Sequence, residues 1–495
     1  MMEKPDLLIF MTDQHTPYYS GWLGGNVDTP NMDRLCEEGT RFDQAYTSCP
    51  LCVPARTSML SGLLPHRTGV FTNQDALADT QATFLHSLVQ AGYDTVLCGR
   101  MHFIGADQRH GFTKRIAPDM SPTGWSSAWK LTSENRGVFA TTYGAPGATA
   151  FAGGGESPVL YYDEAVTQAA LAYLSKPHER PQCIVVGLYA PHFPYVAPKA
   201  LFQKYYERAQ PPALFEAVPP YMNELLLRRR NKNVSPQKAR AALAAYCGMI
   251  ERVDEQLGRV RRAFDDFVRS RGTRQLFCYL SDHGDQVGDR GIYGKDTFFE
   301  KSVKVPMIFA GDGIMANRRV DAPVSLMDVG PTLCDWAGAQ ALPETDGVSQ
   351  ADVLRGAPAD ANRIVLSELL ELVNGSKFDP RVAAVPKEYA FGVMARAGDY
   401  KYIAYHGYNE MLFDMRNDPQ ELCNLVQEHP AAADRLRAAA HAAAQPEQVE
   451  AVQKRHDTQI AWFAAVEKRT GRDDSELWLD NPPSARGKPE ICIDT

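Results

Sequence analysis

The order of apolar segments constrains the fold of this chain most strongly, because short apolar strands alternate with amphipathic helices. The first strand is predicted at Asp6 to Thr12, where a continuous apolar run ends in the polar cluster Thr12-Asp13-Gln14-His15. A helix is expected next, since Thr29-Pro30 provides an N-cap with proline in the first turn and Gly39 stands at a suitable C-terminus. A buried strand followed by a helix is the repeating unit of an α/β fold.

The same alternation continues to about residue 340. Strands are predicted at 95–98, 183–189, 276–280 and 305–310, and helices at 54–61, 80–91, 164–174, 236–268 and 325–336. This pattern predicts a doubly wound, mostly parallel sheet flanked by helices.

The composition changes after this region, where residues 345–362 are rich in Gly, Ala, Pro and Asp. Beyond this connector the predicted elements are strands at 390–395 and 401–405 joined by Gly398-Asp399, a strand at 411–414, a helix at 431–444 and an extended arm after Gly471. We therefore expect an α/β catalytic domain at residues 1–360 and, at 361–495, a smaller C-terminal α+β subdomain with an antiparallel sheet and an extended tail.

Composition excludes several classes of protein. The chain has 495 residues, of which 44% are hydrophobic and 23% charged, so it is neither disordered nor fibrous. Its formal net charge of -8 argues against nucleic acid as a partner. The apolar run Leu7 to Met11 is too short for a signal-peptide core, and no later run approaches a membrane span, so we expect a soluble cytoplasmic protein with no membrane partner. The ten cysteines lack metal-ligand spacing and are expected to be reduced thiols.

Polar side chains follow four of the predicted strands. Ligands of open α/β sheets bind beyond the carboxyl ends of the strands, so these side chains are candidates for a site. They belong to Asp13-Gln14, His102, Pro191-His192 and Asp282-His283-Gly284. The oxygen and nitrogen donors of Asp13, Gln14, Asp282 and His283 suit a hard or borderline divalent cation. Any one of these aspartates taken alone could instead be a turn former or a helix cap.

The segment Cys52-Val53-Pro54-Ala55-Arg56 is the most specific feature of the sequence. Proline two residues after the cysteine fits the first turn of a helix, which places Cys52 near a helix N-terminus that favours an anion. Arg56 is four residues further on and on the same face, where it could hydrogen-bond an oxyanion at position 52. The alternative is a buried structural cysteine beside a surface arginine.

These residues resemble the signature of a known family. Cys52-x-Pro54-x-Arg56, followed by Thr57-Ser58-Met59-Leu60-Ser61-Gly62, resembles the signature of type I sulfatases of the alkaline phosphatase superfamily, in which the cysteine is oxidised to formylglycine. Other segments that match the family in order are Thr29 to Leu35, Gly99 to Phe103, Ala190-Pro191-His192-x-Pro194, Ser281 to Gly284, Gly294-Lys295 and Asp414 to Leu425. Within the family, Met101-His102-Phe103 and Gly105 to Phe112 are most similar to the choline sulfatase branch.

The resemblance implies a metal-dependent hydrolase of alkyl, aryl or choline-type sulfate monoesters. It implies a formylglycine nucleophile from Cys52, held by Arg56. It also implies that Lys295 and His192 contact the sulfate and protonate the leaving oxygen, while His102 helps to expel sulfate. One divalent ion, with Ca²⁺ expected and Mn²⁺ as the alternative, would be bound by Asp13, Gln14, Asp282 and His283. The expected partners are a small sulfate ester, a formylglycine-generating enzyme and further copies of the chain in a homo-oligomer.

Several residues depart from the pattern of many sulfatases. Gln14 and His283 replace an aspartate and an asparagine, a combination found in phosphonate monoester and phosphodiester hydrolases of the same superfamily. Asn73 and Arg100, both expected near the substrate, stand where lysine is usual. Trp129, with Trp125, could offer an aromatic face to a quaternary ammonium or could simply pack in the core.

Two alternatives to a sulfate ester hydrolase remain, of which the first comes from these departures. One is a phosphonate monoester or phosphodiester hydrolase with the same nucleophile. The other is a binding protein in which Cys52 is never converted.

Overall fold

The computed structural model describes residues 4–121, 148–149, 151–374, 387–470 and 491–492. The strands are β1 Asp6–Asp13, β2 Gly39–Phe42, β3 Ala45–Tyr46, β4 Asp94–Gly99, β5 Lys114–Ala117, β6 Ala152–Gly154, β7 Gln182–Pro191, β8 Tyr195–Ala197, β9 Gln275–Ser281, β10 Met307–Gly311, β11 Arg318–Val320, β12 Val324–Ser325, β13 Val365–Asn374, β14 Glu388–Ala397, β15 Tyr400–Tyr405, β16 Met411–Asp414 and β17 Ile491–Cys492. The α-helices are α1 Pro30–Glu38, α2 Cys52–Ser61, α3 Pro65–Thr68, α4 Phe84–Gln90, α5 Pro158–Leu174, α6 Lys199–Tyr206, α7 Glu224–Arg228, α8 Pro236–Arg271, α9 Glu300–Val303, α10 Val329–Ala337, α11 Ala351–Leu354, α12 Pro430–Ala443 and α13 Pro446–Thr470. Short 3-10 helices lie at Pro17–Tyr19, Gly21–Leu23, Asp289–Gly291 and Leu326–Asp328.

The central sheet has eight strands in the order β11-β2-β10-β9-β1-β7-β4-β5. β1 lies in its middle and pairs in parallel with both β7 and β9. The expected mostly parallel sheet is confirmed, but β10 is antiparallel to β9 and β2. β10 is reversed because β9 ends at the edge of the sheet where the parallel strands have their carboxyl ends, and residues 282–306 return the chain into the sheet from that same edge. No helix in this segment crosses back to the opposite edge.

Both faces of the central sheet are covered, as the continuously apolar β1 predicts. Leu7, Ile9 and Met11 pack into a core with residues of α2, α4 and α10. Leu8 and Phe10 point to the opposite face and pack with residues of α5 and α8. β1 is therefore held on all sides, which makes its carboxyl end a rigid support for Asp13.

Gly39 directly follows the last residue of α1, as predicted, but its backbone is extended. Its φ is -142°, and it is the first residue of β2. A Cβ at this position would lie 2.0 Å from the carbonyl oxygen of Phe309 in β10. Glycine is therefore needed for the close approach of two backbones rather than for ending the helix.

A second sheet with the order β13-β14-β15-β16 is antiparallel throughout. The predicted hairpin at Gly398 is confirmed, and Gly398 adopts a φ of 54° between β14 and β15. α12 and α13 pack on one face of this sheet, and the other face meets Phe298 of the central unit, whose ring centroid lies 5.4 Å from that of Tyr405. These sheets confirm the predicted fold class, while the domain division at residue 360 stays a prediction.

Two sequence predictions remain, one on residues outside the described ranges and one on membrane-spanning helices. Trp125 and Trp129 lie outside the described residues, as does the tail after Gly471 apart from β17. No helix among the described residues combines the length and apolar character needed to cross a membrane.

Candidate active site

The carboxyl ends of four neighbouring strands meet at one edge of the central sheet. Thr12 of β1 pairs with Ser281 of β9, and Asp13 pairs with Pro191 of β7. β4 joins this edge because Gly99 pairs with Gly187 of β7. The four polar segments that the sequence places after these strands are therefore brought together by the parallel register.

A tight group of possible metal ligands lies at this edge. One ligand atom from each of Asp13, Cys52, Asp282 and His283 falls within 4.8 Å of every other, and all four residues are buried. Gln14 is attached to the same group, because its backbone N–H donates to Asp282 Oδ1 at 3.0 Å. Carboxylate, amide and imidazole donors fit a hard or borderline divalent cation.

Cys52 is the first residue of α2, which begins two residues earlier than predicted. Leu51 before it is extended, so the thiol projects from the helix start toward the sheet edge. Its Sγ atom lies 3.2 Å from His283 Nε2 and 3.8 Å from Asp13 Oδ1. A nucleophile derived from this side chain would thus adjoin the proposed metal ligands.

Arg56 and Arg100 surround the carboxylates with positive charge. Arg56 donates from Nε to Asp282 Oδ2 at 2.9 Å and from Nη2 to Asp13 Oδ2 at 3.1 Å. It has no exposed side-chain surface, so the alternative of a surface arginine is wrong. Burial alone would raise the pKa of Asp13, but the positive charges of Arg100, Arg56 and Lys295 hold that pKa well below its usual value.

Lys295 and His192 form a hydrogen-bonded pair beside Gln14. Lys295 Nζ donates to Gln14 Oε1 at 2.5 Å and to His192 Nε2 at 2.7 Å. Because lysine can only donate, Nε2 of His192 is the acceptor, and its Nδ1–H donates to the carbonyl of Phe193 at 2.6 Å. Burial and then the charge of Lys295 lower the pKa of His192, which keeps the ring neutral.

His102 is held in a left-handed backbone conformation, with a φ of 59°. Its backbone N–H donates to Asp119 Oδ2 at 2.7 Å, and its Nδ1 accepts from Arg100 Nη2 at 2.9 Å. Burial and then the charge of Arg100 lower the pKa of His102 well below its usual value. The ring is therefore neutral, with its proton on Nε2.

Comparison with known families agrees with this arrangement. The sulfatase family model matches residues 5–339, and a model for the C-terminal part of N-sulphoglucosamine sulphohydrolase matches residues 288–443. The chain belongs to the sulfatase family. It is thus an enzyme of the sulfuric ester hydrolase class.

Individual relatives support the same assignment. The sulfatase is 34% identical over 448 residues to the choline-sulfatase of Rhizobium meliloti, covering 86% of this chain and 83% of that protein. It is 25% identical over 473 residues to the arylsulfatase of Clostridium perfringens, covering 88% and 93% of the two chains. The phosphonate monoester hydrolase of Agrobacterium radiobacter shares its fold, with a TM-score of 0.70 and 22% identity over 92% of this chain and 96% of that one.

Two residues predicted to contact substrate have other partners in this sulfatase. Asn73 Oδ1 accepts the backbone N–H of Val53 at 2.9 Å, so it caps the first turn of α2. Arg100 is completely buried and donates to Asp13 and His102. Both residues therefore adjoin the nucleophile or its neighbours, while their contact with substrate stays a prediction.

Sequence analysis missed three buried carboxylates that support the site. Asp119 accepts the backbone N–H groups of Met101 and His102 at 3.0 and 2.7 Å. Asp163 accepts those of Tyr189 and Ala190 at 2.7 and 2.8 Å, just before His192. The third is Asp285, which directly follows the family-matched segment Ser281 to Gly284.

Proposed function

We propose that this sulfatase hydrolyses sulfate monoesters through a formylglycine derived from Cys52, with one divalent metal ion, Ca²⁺ or alternatively Mn²⁺. The observation that carries the proposal is the position of Cys52 at the start of α2, with Sγ 3.2 Å from His283 Nε2 and 3.8 Å from Asp13 Oδ1. The proposed nucleophile and the proposed metal ligands thus lie together at one buried edge of the central sheet.

The modified residue and the metal would supply complementary chemistry. Hydrated formylglycine supplies a geminal diol, and the ion bound by Asp13, Gln14, Asp282 and His283 supplies a Lewis acid that lowers the pKa of that nucleophile and offsets sulfate charge. Arg56 would hold the diol through its guanidinium while its remaining hydrogen bonds keep Asp13 and Asp282 in place.

Lys295 and His192 would act on the side of the leaving alcohol. Lys295 brings a positive charge to the sulfate. His192 Nε2, which accepts a hydrogen bond from Lys295 Nζ at 2.7 Å, would take a proton from that ammonium and pass it to the leaving oxygen. The hydrogen bond from His192 Nδ1 to the carbonyl of Phe193 holds the ring in orientation.

His102 would serve as the base that helps to expel sulfate from the modified residue. In the present geometry its Nδ1 accepts from Arg100 at 2.9 Å, so a neutral ring carries its proton on Nε2. The ring would take up a second proton at Nδ1 after the hydrogen bond with Arg100 opens. Arg100 would then control when His102 becomes a base.

The substrate class is proposed as alkyl, aryl or choline-type sulfate esters. The choline-sulfatase of Rhizobium meliloti, at 34% identity, supports the choline-type member of this class. A sulfate monoester carries one negative charge, which Lys295 and the metal can balance without the lysine that Asn73 replaces.

A phosphonate monoester or phosphodiester hydrolase is the second candidate. Gln14 and His283 favour it, because that pair occurs in such hydrolases. His283 belongs to the group of possible ligands here, and the backbone N–H of Gln14 donates to Asp282 of the same group. A phosphodiester also carries one negative charge, so charge alone does not separate the two functions. His102, held beside Arg100, favours the sulfatase, because the resemblance to phosphonate hydrolases is weakest at that position.

We further propose that the protein is cytoplasmic and homo-oligomeric, with residues 1–360 as catalytic domain and 361–495 as C-terminal subdomain. A formylglycine-generating enzyme is its proposed maturation partner. These proposals come from composition and family resemblance.

Rates on three substrates test the proposed function. Purified protein with its Cys52 modification verified would be assayed with an aryl sulfate, choline sulfate and an aryl phosphodiester under matched conditions. We expect the largest kcat/KM for one of the sulfate esters. A larger kcat/KM for the phosphodiester would favour the second candidate, and absence of turnover with all three substrates would overturn the proposed function.

A further inference from the structure

Asp285 is a completely buried carboxylate that accepts hydrogen bonds from four donor groups. Its Oδ1 accepts the backbone N–H groups of Val287 at 2.8 Å and Gly294 at 2.9 Å. Tyr195 donates its hydroxyl to both carboxylate oxygens, at 3.1 and 2.9 Å, and Gln14 donates from Nε2 to Oδ2. This carboxylate touches no reacting group, yet it contacts a proposed metal ligand.

The two ends of the Gln14 amide are fixed by partners of opposite character. The amide end that faces Asp285 is Nε2, which donates to the Oδ2 atom of that carboxyl group. The ammonium of Lys295 can only donate, and it lies 2.5 Å from the other end, Oε1. Oε1, the only side-chain atom of Gln14 suited to a hard cation, therefore points into the site.

The backbone of Gln14 is held independently of Asp285. Its φ is 68°, a left-handed conformation that is unfavourable for residues other than glycine. Its N–H donates to Asp282 at 3.0 Å, and its carbonyl accepts from the hydroxyl of Tyr246 at 2.6 Å. With the backbone fixed, the rotation of the side-chain amide depends on the partners at its two ends, Asp285 and Lys295.

We propose that Asp285 is a positioning residue that turns the amide oxygen of Gln14 toward the metal ion and Lys295. This inference rests on the proposed metal-dependent function and adds the residue that sets the orientation of one ligand. Partners of metal ligands commonly change metal affinity by about 10- to 100-fold when they are replaced.

The substitution Asp285→Asn tests this role directly. Asparagine has nearly the same shape but can present Nδ2–H to Gln14, which would turn the amide around and direct Nε2 toward the metal. We expect the Kd for Ca²⁺, measured by calorimetry on protein stripped with a chelator, to rise about 10-fold or more. Tyr195→Phe is the matched control, because it removes another hydrogen-bond partner of Asp285 but places no new N–H donor opposite the Gln14 amide. The Kd of this variant for Ca²⁺ should stay within about 2-fold of wild type.

A double-mutant cycle separates positioning from general damage. If Asp285 acts through Gln14, Asp285→Asn should change the Kd by no more than about 2-fold in a Gln14→Ala background. An unchanged Kd in the single variant, or equal losses in both backgrounds, would overturn the inference. Thermal unfolding of each variant reports whether it is folded.

The Ca²⁺-loaded wild type gives an independent measurement if Asp285→Asn does not fold. A high-resolution crystal structure should show one end of the Gln14 amide on Asp285 and the opposite end on the ion. A Gln14 side chain that has left Asp285, or that binds both with the same atom, would contradict the inference. Wild type that binds no divalent ion would contradict the proposed function as well, which distinguishes the two failures.

Discussion

Arg100 donates from Nε to Asp13 Oδ2 at 2.6 Å, and both side chains are completely buried. Arg56 donates to the same oxygen at 3.1 Å, so one carboxylate is held by two guanidinium groups. This pairing keeps Asp13 ionised, and its other oxygen, Oδ1, faces the Cys52 thiol at 3.8 Å. A negative ligand atom is therefore held ready next to the nucleophile position.

The first prediction is that Cys52 is oxidised in active protein. Peptide mass spectrometry should find formylglycine at position 52 in a preparation that turns over sulfate esters. Cys52→Ala should lose nearly all turnover, because alanine offers no nucleophile, while its melting temperature stays close to that of wild type. Cys36→Ala, which changes a buried cysteine of α1, is the control and should keep its activity. Fully active protein with only a thiol at position 52 would contradict the prediction.

The second prediction concerns the metal ligands. Asp13→Ala and Asp282→Ala should each lose both the bound ion and activity, because each removes a negatively charged donor from the ligand group. Metal content by mass spectrometry after dialysis is the measurement. Asp352→Ala changes an exposed aspartate of α11 and should keep full occupancy. Full occupancy in either ligand variant would show that the ligands are wrongly assigned.

The third prediction concerns His102 and sulfate release. His102→Ala should bind and cleave one equivalent of substrate and then accumulate covalently sulfated protein, because the base for expulsion is missing. Intact-protein mass spectrometry after mixing with substrate would detect the adduct. His441→Ala, an exposed change on α12, should show steady turnover without the adduct. A slow variant without any adduct would assign His102 to an earlier step.

The fourth prediction separates capping by Asn73 from substrate binding. Asn73→Ala removes the acceptor for Val53 N–H and should lower the free energy of unfolding by about 1 kcal/mol. Asn73→Asp keeps the acceptor, so its stability should stay near wild type, while its added negative charge should raise KM for an anionic ester. Chemical denaturation and steady-state kinetics measure the two effects. Equal stability of wild type and Asn73→Ala would argue against a capping role.

The fifth prediction is a pH dependence of stability caused by His15. Burial lowers the pKa of this ring from 6.5 to about 3, and it is held by Tyr279 and Ser20 at 2.6 and 3.1 Å. The unfolded chain takes up a proton on His15 below pH 6.5, whereas the folded chain does not until about pH 3. Stability should therefore fall as the pH drops through this window, by at most ~1.4 kcal/mol per pH unit from this residue.

Urea denaturation at about pH 7 and about pH 5 measures that effect. His15→Gln should reduce the difference in unfolding free energy between the two pH values, although the variant is less stable at both. His429→Gln, an exposed change, should leave the difference as in wild type. An unchanged pH dependence in His15→Gln would show that other groups cause it.

The strands and helices of the central unit could be predicted because each carries its own local pattern. The apolar run at residues 6–12 corresponds to β1, and the amphipathic pattern at 236–268 corresponds to α8. β13, by contrast, was not predicted, since Glu368 and Glu371 interrupt its apolar pattern. Both side chains are buried. Glu368 is hydrogen-bonded to His66 and Glu371 is ion-paired with Arg229, and both partners are far away in the sequence.

The sequence by itself was enough to recognise the polar residues at the predicted strand ends and the Cys52-x-Pro54-x-Arg56 motif, because both are patterns of spacing along the chain. Only the tertiary structure decided which oxygens Arg56 and Arg100 bind, how Asn73 caps α2, and which side of the Gln14 amide faces Asp285. Orientation depends on donors and acceptors that come from separate strands and loops. Their distances exist only once the parallel register of β1, β7 and β9 has brought those segments to one edge.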